Sequence, residues 1–216
     1  GLTTYGSSTD INKFGGRFKY SKVLNVIDNI NDAITSNITR VRIRRNLKAL
    51  INQFAQYELC FGNSFYINPE GKNVKTTGFT IQGQSDMLYI TDIPNKNGDG
   101  TLDGSGKGTL TIVKGDIELS ENRLIVASAG TVDYVHGEII LNTINITSTE
   151  KANNIIEIQT FPQSNDVIGL KDLYLTFAVG DSTINMVKDT ITSGEQISGV
   201  GYKVTSSYSN GALTRG

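Results

Sequence analysis

The chain has few of the residues that stabilise small secreted domains through disulfides or metal ions. Among 216 residues it has one cysteine, one histidine, three prolines and no tryptophan. Cys60 alone forms no internal disulfide, and Cys60 with His136 is too small a ligand set for a structural zinc site. We therefore predict Cys60 to be a buried apolar residue between Leu59 and Phe61. No apolar run approaches the roughly 20 residues that a membrane-spanning helix needs.

The composition that remains favours strands joined by turns. Ile, Val and Thr are frequent and suit pleated surfaces, and the 23 glycines suit turns. The chain is long enough to bury a core without disulfides or a metal. The first residues, GLTTYGSSTD, have neither the basic nor the apolar region of a secretory signal. Because the chain starts abruptly at Gly1, we expect it to be a fragment of a longer protein.

The formal net charge of −1 conceals a division along the chain. Residues 1–60 hold nine Lys or Arg and four Asp or Glu, a balance of +5, whereas the remainder holds 11 and 17, a balance of −6. An acidic body would repel phosphate, so this division argues against a general nucleic-acid binder. It is compatible with self-association in which the basic part of one copy meets the acidic part of another.

The N-terminal part of the chain carries one helix-like segment. Val23, Leu24, Ile27 and Ile30 recur at helical spacing after Ser21, which we expect to be the N-cap. A helix of about ten residues is marginal by itself, so its apolar side must pack against another part of the protein.

A basic strand follows this helix. Val41 and Ile43 alternate with Arg40, Arg42 and Arg44, which predicts a strand with one buried and one basic face. The next stretch, residues 47–61, suits a short helix followed by a strand, and we predict both.

Alternation of apolar and polar residues dominates from Gly62 onward. The predicted strands are Phe79–Gln82, Met87–Asp92, Thr109–Lys114, Leu124–Ala127, Thr131–Tyr134, Glu138–Ile146, Ile155–Phe161, Leu173–Ala178 and Thr183–Val187. We therefore predict an α+β fold in which a small helix-containing N-terminal module, residues 1–61, packs on a larger, mostly antiparallel β body, residues 62–190. Residues 191–216 are rich in Ser and Gly, and we expect this C-terminal tail to fray unless a partner holds it.

The polar loop NKNGDGTLD resembles a calcium-binding loop in part. The residues at ligand positions one, three, five, six and nine fit: Asn95, Asn97, Asp99, Gly100 and Asp103. Position twelve is Gly106 instead of a bidentate Glu, and strands rather than helices are predicted on both sides. We therefore predict that this loop is an exposed hairpin tip without a metal ion.

Signals of catalysis are weak. The motif GSGKGTL lacks the glycine spacing of a phosphate-binding loop and the Ser or Thr that should follow Lys107, and a strand comes after it. His136 lies in a turn context, YVHGE, without a second histidine, and the chain has no G-x-S-x-G elbow. No pair of carboxylates stands out for glycoside hydrolysis. We predict a protein that is not an enzyme and that needs no cofactor.

The basic strand is the strongest candidate site in the chain. Four arginines fall within six residues: Arg40, Arg42, Arg44 and Arg45. A guanidinium matches a carboxylate with two parallel hydrogen bonds, so the pattern points to a surface that binds the carboxylates of a partner chain. The alternative interpretation is a solvated strand face without a partner.

Two stretches resemble a known family. They are FGGRFKYSKVLNVID…AITSNITRVRIRR, and GTVDYVHGEIILNTINI followed by IIEIQTFPQSNDVIGLKDLYLTF. The matching positions are Phe14, Gly15, Gly16, Arg17 and Ser21 in the first stretch, and Gly130 to Tyr134, Gly137 and Ser164 to Val167 in the second. The pattern resembles the C-terminal part of the baseplate wedge proteins of contractile-tailed bacteriophages, the J-like family, and in particular the gene-six products of T-even-type phages. The likeness covers most of residues 10–190.

This resemblance implies a non-enzymatic virion component, located in the tail baseplate and assembled in the host cytoplasm. It implies contacts with other copies of the chain, as a homodimer or in a ring, and with other wedge proteins, which join wedges into a ring around the tail hub. We accordingly expect no nucleic acid, membrane or small-molecule partner, and the basic N-terminal segment would be an assembly surface. The alternative is a β-rich adhesin module that binds a carbohydrate or a receptor, although the chain has no Trp and its Tyr and Phe lie mostly within strand patterns.

Overall fold

The computed structural model describes residues 1–115, 117, 123–171 and 173–187, together with the strands at 208–209 and 212–213. Its helices and strands are α1 (Leu2–Gly6), β1 (Arg17–Phe18), α2 (Tyr20–Asp28), β2 (Ile43–Lys48), β3 (Phe54–Cys60), β4 (Lys75–Thr76), β5 (Phe79–Ile81), β6 (Gln84–Pro94), β7 (Lys107–Lys114), β8 (Arg123–Asp133), β9 (Glu138–Thr149), β10 (Ile155–Thr160), β11 (Val167–Ile168), β12 (Tyr208–Ser209) and β13 (Ala212–Leu213). Single 3-10 turns lie at Ala152–Asn154 and Val179–Asp181. The predicted α+β class, with a small helical part and a larger antiparallel β part, is confirmed.

The largest sheet closes on itself. Its strand order is β3-β9-β5-β6-β7-β8, and β8 also pairs with β9. Residues 138–141 of β9 pair with residues 130–133 of β8, and residues 146–149 of β9 pair with β5. Strand β9 thus pairs first with β8 and then with β5 along its length, in addition to β3. This arrangement leaves fewer unpaired strand edges than an open sheet would.

Apolar side chains fill the inside of this closed sheet. Alternate residues of β6 and β7 point inward, and the most fully buried residues include Phe79, Leu88, Ile90, Leu110, Ile112, Ile139, Leu141 and Ile146. Complete burial of one such side chain contributes about 1.5–3 kcal/mol. This set therefore supplies much of the stability of the fold.

Two smaller sheets join the N-terminal residues to the rest of the chain. In the sheet β2-β10-β4, all six residues of β2 pair with β10, and β1 pairs with β11. In the closed sheet, β3 pairs with β9. Strands from the first 61 residues are therefore completed by strands that lie much later in the chain, and the N-terminal part packs on the β part.

The chain divides into two compact units, residues 1–179 and 180–216. In the second unit, β12 and β13 pair as antiparallel strands. The predicted boundaries at residues 61 and 190 stay predictions. The predicted fraying of the tail from residue 191 lies outside the described residues, apart from that strand pair.

The helix predicted at the start of residues 47–61 is wrong. Strand β2 continues to Lys48, and Leu47 pairs with Ile156 of β10. Asn52 then turns the chain with a φ of 57° before β3 begins. The helical spacing of the apolar residues is overridden here by pairing with strands distant in sequence, a common outcome for short segments.

Four strand predictions also need correction. Leu124–Ala127 and Thr131–Tyr134 lie on one continuous strand, β8, which runs from Arg123 to Asp133. The stretches Leu173–Ala178 and Thr183–Val187 are not strands in the part of the chain that the structure describes. In the first, the aromatic side chains pack edge-on against the N-terminal residues: Tyr174 contacts Phe14 and Phe177 contacts Phe18. Alternation there reflects side-chain packing without a paired strand.

Helix α2 begins one residue before the predicted cap. The N-cap position is Lys19, and no side chain of the helix itself caps the first turn. Instead, the Tyr20 N–H donates a 2.8 Å hydrogen bond to the carboxylate of Asp166. Val23 is buried as predicted, whereas Ile30 lies beyond the end of the helix and is 58% exposed. The N-cap prediction for Ser21 is therefore wrong.

Candidate assembly surface

The arginine-rich segment leads into β2 and keeps the predicted alternation. Ile43 is buried and Val41 is half-buried, whereas Arg40, Arg42 and Arg44 are exposed. Arg44 lies on β2, whereas Arg40 and Arg42 precede Ile43, where β2 begins, so the strand starts later than predicted. We call Arg40, Arg42 and Arg44 the arginine face.

Contacts within the chain orient two members of the arginine face. The guanidinium of Arg42 lies over the ring of Phe161, 4.9 Å from its centroid. The Arg44 guanidinium forms a 3.3 Å ion pair with Glu157 of β10, and Lys151 lies 3.7 Å from the same carboxylate. A guanidinium that lies over an aromatic ring does not use its N–H donors for that contact. Arg42 therefore keeps its hydrogen-bonding capacity while its position is restricted.

Arg45 lies on the other side of β2. It is half-buried, in line with the buried residues Ile43 and Leu47, and its guanidinium donates a hydrogen bond to the carbonyl of Cys60. This bond ties β2 to the end of β3. The structure thus places Arg45 apart from the arginine face, as a link between two sheets.

A buried carboxylate holds the loop between β3 and β4 against the closed sheet. Asp92 is completely buried on β6, where it accepts a 2.6 Å hydrogen bond from the Tyr134 hydroxyl and another of 2.6 Å from the Val74 N–H. Burial raises the pKa of Asp92, and burial together with the adjacent carboxylate raises the pKa of Tyr134. The sequence analysis did not identify this pair. A signal existed, because Asp92 continues the inward alternation of Leu88 and Ile90.

The buried side-chain amide of Asn73 fixes the same loop. Asn73 donates to the carbonyls of Tyr66 and Phe161, at 2.5 and 3.3 Å, and accepts a 2.9 Å hydrogen bond from the Phe161 N–H. Satisfied buried polar groups of this kind specify one arrangement of a loop. They also hold Phe161, the residue under Arg42, in place.

His136 is an exposed turn residue, as predicted. It lies between β8 and β9, where its backbone N–H donates to the Asp133 carboxylate at 2.9 Å and its Nδ1 lies 3.0 Å from the other carboxylate oxygen. This contact raises the pKa of His136 through hydrogen bonding and charge attraction. For Asp133, desolvation opposes the hydrogen bonds from His136, but the pKa is still lowered. The arrangement stabilises the turn between β8 and β9.

The loop between β6 and β7 is an exposed hairpin tip, as predicted. The carboxylate of Asp99 accepts hydrogen bonds from the backbone and hydroxyl of Thr101, and that of Asp103 does the same for Ser105. The side-chain hydrogen bonds lower the pKa of each carboxyl group. The absence of a calcium site here stays a prediction. Strand β7 starts at Lys107, so a strand follows the glycine-rich motif.

Other candidate chemistry is sparse in the described part of the chain. No group of three or more His, Cys, Asp or Glu side chains is placed to hold a metal ion there. None of the helices described is long and apolar enough to cross a membrane. Cys60 is half-buried at the end of β3, between buried Leu59 and Phe61.

Part of the chain matches a family of phage baseplate structural proteins. Residues 1–46 match the family described as baseplate structural protein gp6, C-terminal domain III. No curated protein matches the chain. This match confirms the resemblance to gp6-like baseplate proteins over residues 1–46 and supports a structural role in a phage baseplate. The second stretch, which begins at Gly130, lies outside the match.

The matched residues cover one part of the structure. They contain α1, β1, α2 and the first four residues of β2, and they include the whole arginine face. The strands that complete β1 and β2 lie at residues 155–168, outside the match. The matched segment is therefore folded together with a later segment of the same chain.

Proposed function

We propose that the chain is a structural component of a baseplate wedge and that its subunit contacts join wedges into a ring around the tail hub. In this proposal the arginine face binds carboxylates of another copy or of another wedge protein. The observation that carries it is that Arg40, Arg42 and Arg44 are all exposed in a segment that matches a baseplate structural family.

The position of β2 supports this role. Among the strands that the structure describes, β2 is an edge strand of its sheet and pairs with β10. An edge that carries this much positive charge resists indiscriminate strand pairing, so a partner must bring carboxylates. An exposed ion pair contributes only about 0–1 kcal/mol, whereas truncation of one side of a desolvated pair at an interface costs roughly 2–5 kcal/mol. The arginine face therefore matters for assembly if a partner removes it from water.

We further propose that the protein is not an enzyme and acts in the virion tail through other baseplate proteins, without a cofactor, nucleic acid or membrane partner. The matched family is a structural one. The Asp92–Tyr134 pair, in which the pKa of both groups is raised, is enclosed in the core with relative exposures of 0% and 1%, out of reach of a substrate.

The test is the assembly of a double variant, Arg42→Ala with Arg44→Ala. We expect an assembly constant at least tenfold weaker than wild type, on the order of 1.4 kcal/mol. The control is Lys96→Ala with Lys107→Ala, which removes two exposed charges from the hairpin tip. Sedimentation velocity of the chain alone and with co-expressed baseplate proteins, at several salt concentrations, measures both. If the arginine variant assembles like wild type, the arginine face is only a solvated surface.

A further inference from the structure

A second basic surface lies in the first 22 residues and is built from other side chains than the arginine face. A cleft of about 220 Å³ is lined by Asp10, Lys13, Gly15, Arg17, Lys19 and Lys22. We call it the basic cleft. Its four cations face one carboxylate, so positive charge is in excess by three.

The described residues do not neutralise this excess. Lys22 forms an ion pair with Asp10, and this contact lowers the pKa of Asp10 and raises that of Lys22. For Lys13, Arg17 and Lys19 the described residues provide no ion-pair partner, and all three side chains are exposed. Converging cations without a partner carry a repulsion that an anion would relieve.

The backbone beneath the basic cleft is fixed. The Arg17 N–H donates to the Asp10 carbonyl at 2.9 Å, and the Gly16 N–H donates to the Lys13 carbonyl at 3.1 Å. Lys19 is held by the Tyr5 hydroxyl, which accepts from its N–H at 3.1 Å. A fixed backbone lowers the entropy that the chain loses when a ligand binds.

Gly16 makes this turn possible. A side chain at this position would overlap the carbonyl oxygen of Ile11, so only glycine allows the close approach. The next residues, Arg17 and Phe18, pair with β11, which places the Arg17 side chain outward and buries Phe18. The cleft is thus a consequence of the tertiary structure and not of a flexible basic arm.

Exposed aromatic side chains flank the basic cleft. Phe14, between the lining residues Lys13 and Gly15, is 66% exposed and packs edge-on against Tyr174, which is 50% exposed, with ring centroids 5.4 Å apart. Arginine beside exposed aromatic residues is the composition enriched at protein–protein interfaces. Nucleic acid is disfavoured because Asp10 lies in the cleft and residues 61–216 carry a balance of −6.

We infer that the basic cleft binds a carboxylate-rich segment of a neighbouring protein chain, with the Phe14–Tyr174 pair as its apolar rim. The inference rests on the proposed assembly role only in taking the partner to be a protein. It adds a second contact that uses none of the residues of the arginine face.

The test uses a dye-labelled peptide of six glutamates and fluorescence anisotropy on the full chain. The cleft variant is Arg17→Gln with Lys19→Gln, and the control is Lys96→Gln with Lys107→Gln, which removes the same charge from the hairpin tip. We expect the peptide to bind wild type and the control equally within about twofold, and to bind the cleft variant at least tenfold more weakly. Melting temperatures of the variants establish that they are folded.

Three results would overturn the inference: no binding of the peptide to wild type, equal losses in the cleft and control variants, or tighter binding of a single-stranded thymidine oligonucleotide that depends on Arg17 and Lys19. Either of the first two results would mean that the basic cleft has no specific affinity for carboxylates beyond general charge attraction. The third would mean that the cleft binds nucleic acid. An Arg42→Ala, Arg44→Ala variant that keeps peptide binding but loses assembly would separate this inference from the proposed function.

Discussion

The hydroxyl of Tyr134 donates a 2.6 Å hydrogen bond to the carboxylate of Asp92, and both side chains are buried in the closed sheet. Tyr134 follows β8 and Asp92 lies on β6, so the bond connects two strands that are not neighbours. The second oxygen of Asp92 accepts from the N–H of Val74, which belongs to the loop between β3 and β4. One carboxylate therefore holds three separate parts of the chain.

Tyr134→Phe removes the side-chain hydrogen bond to this buried carboxylate. We expect the free energy of unfolding to fall by about 1–3 kcal/mol, the usual cost of leaving a buried polar group short of a partner. The control is Tyr89→Phe on β6, where Tyr89 is only half-buried. Urea unfolding of both variants is the measurement, and equal losses would show that the Asp92 bond contributes nothing particular.

The raised pKa of Asp92 predicts a pH dependence of stability. Its folded-state pKa lies above the ordinary value of 3.8, so the folded state binds the proton more tightly than the unfolded state. The contribution of Asp92 to stability is therefore largest below about pH 3.8 and falls as the pH rises to the folded-state pKa. At higher pH this contribution no longer changes. The amide of Asp92→Asn does not titrate, so this variant lacks the pH-dependent contribution. Relative to wild type, we expect this variant to be better tolerated at about pH 8 than at about pH 4, and an unchanged difference would contradict the assignment.

His136 is the one histidine of the chain, so its titration is observable without assignment of overlapping signals. We expect its pKa to lie above the ordinary 6.5 in wild type and to return toward 6.5 in Asp133→Asn. The pair stabilises the fold below the unfolded-state pKa of the imidazole, and this contribution is lost as the pH rises through the folded-state value. NMR of the imidazole carbon-bound protons measures both titrations. A wild-type value at or below 6.5 would contradict the contact with Asp133.

The capping of α2 from a distant residue gives a paired prediction. Asp166→Ala removes the acceptor of the Tyr20 N–H and should lower the free energy of unfolding by about 0.5–2 kcal/mol. Ser21→Ala, at the position where the sequence suggests a cap, should change it by less than about 0.5 kcal/mol. Thermal unfolding of both variants distinguishes them, and the reverse ranking would restore Ser21 as the cap.

The two sides of the arginine segment should respond differently to substitution. Val41 packs against the hydrophobic core, so Val41→Asp places a charge there and should cost more than about 2 kcal/mol. Arg42→Ala loses the contact with Phe161 and should cost only about 0.5–1 kcal/mol. Chemical denaturation monitored by circular dichroism gives both values. Similar losses for the two variants would mean that the segment lacks a buried and an exposed side.

The sequence by itself determined those features that depend on neighbouring residues. Alternation around Ile43 predicted which arginines are exposed, and the spacing around Val23 predicted one short helix. Turn residues placed the hairpin tip at Asn95 and the turn at His136. The missing ligand at Gly106 argued against a calcium loop. Side-chain periodicity and turn chemistry are local, so these features can be predicted without knowledge of the fold.

Only the tertiary structure decided the features that join distant residues. Leu47 belongs to a strand because Ile156 pairs with it, and α2 is capped by Asp166, which local sequence cannot indicate. Alternation places Arg45 on the same side of β2 as Ile43, but only the tertiary structure shows that its guanidinium donates to the carbonyl of Cys60. The basic cleft likewise exists because β1 pairs with β11 and turns Arg17 outward. Each of these features depends on a free energy of pairing or burial between segments far apart in the chain.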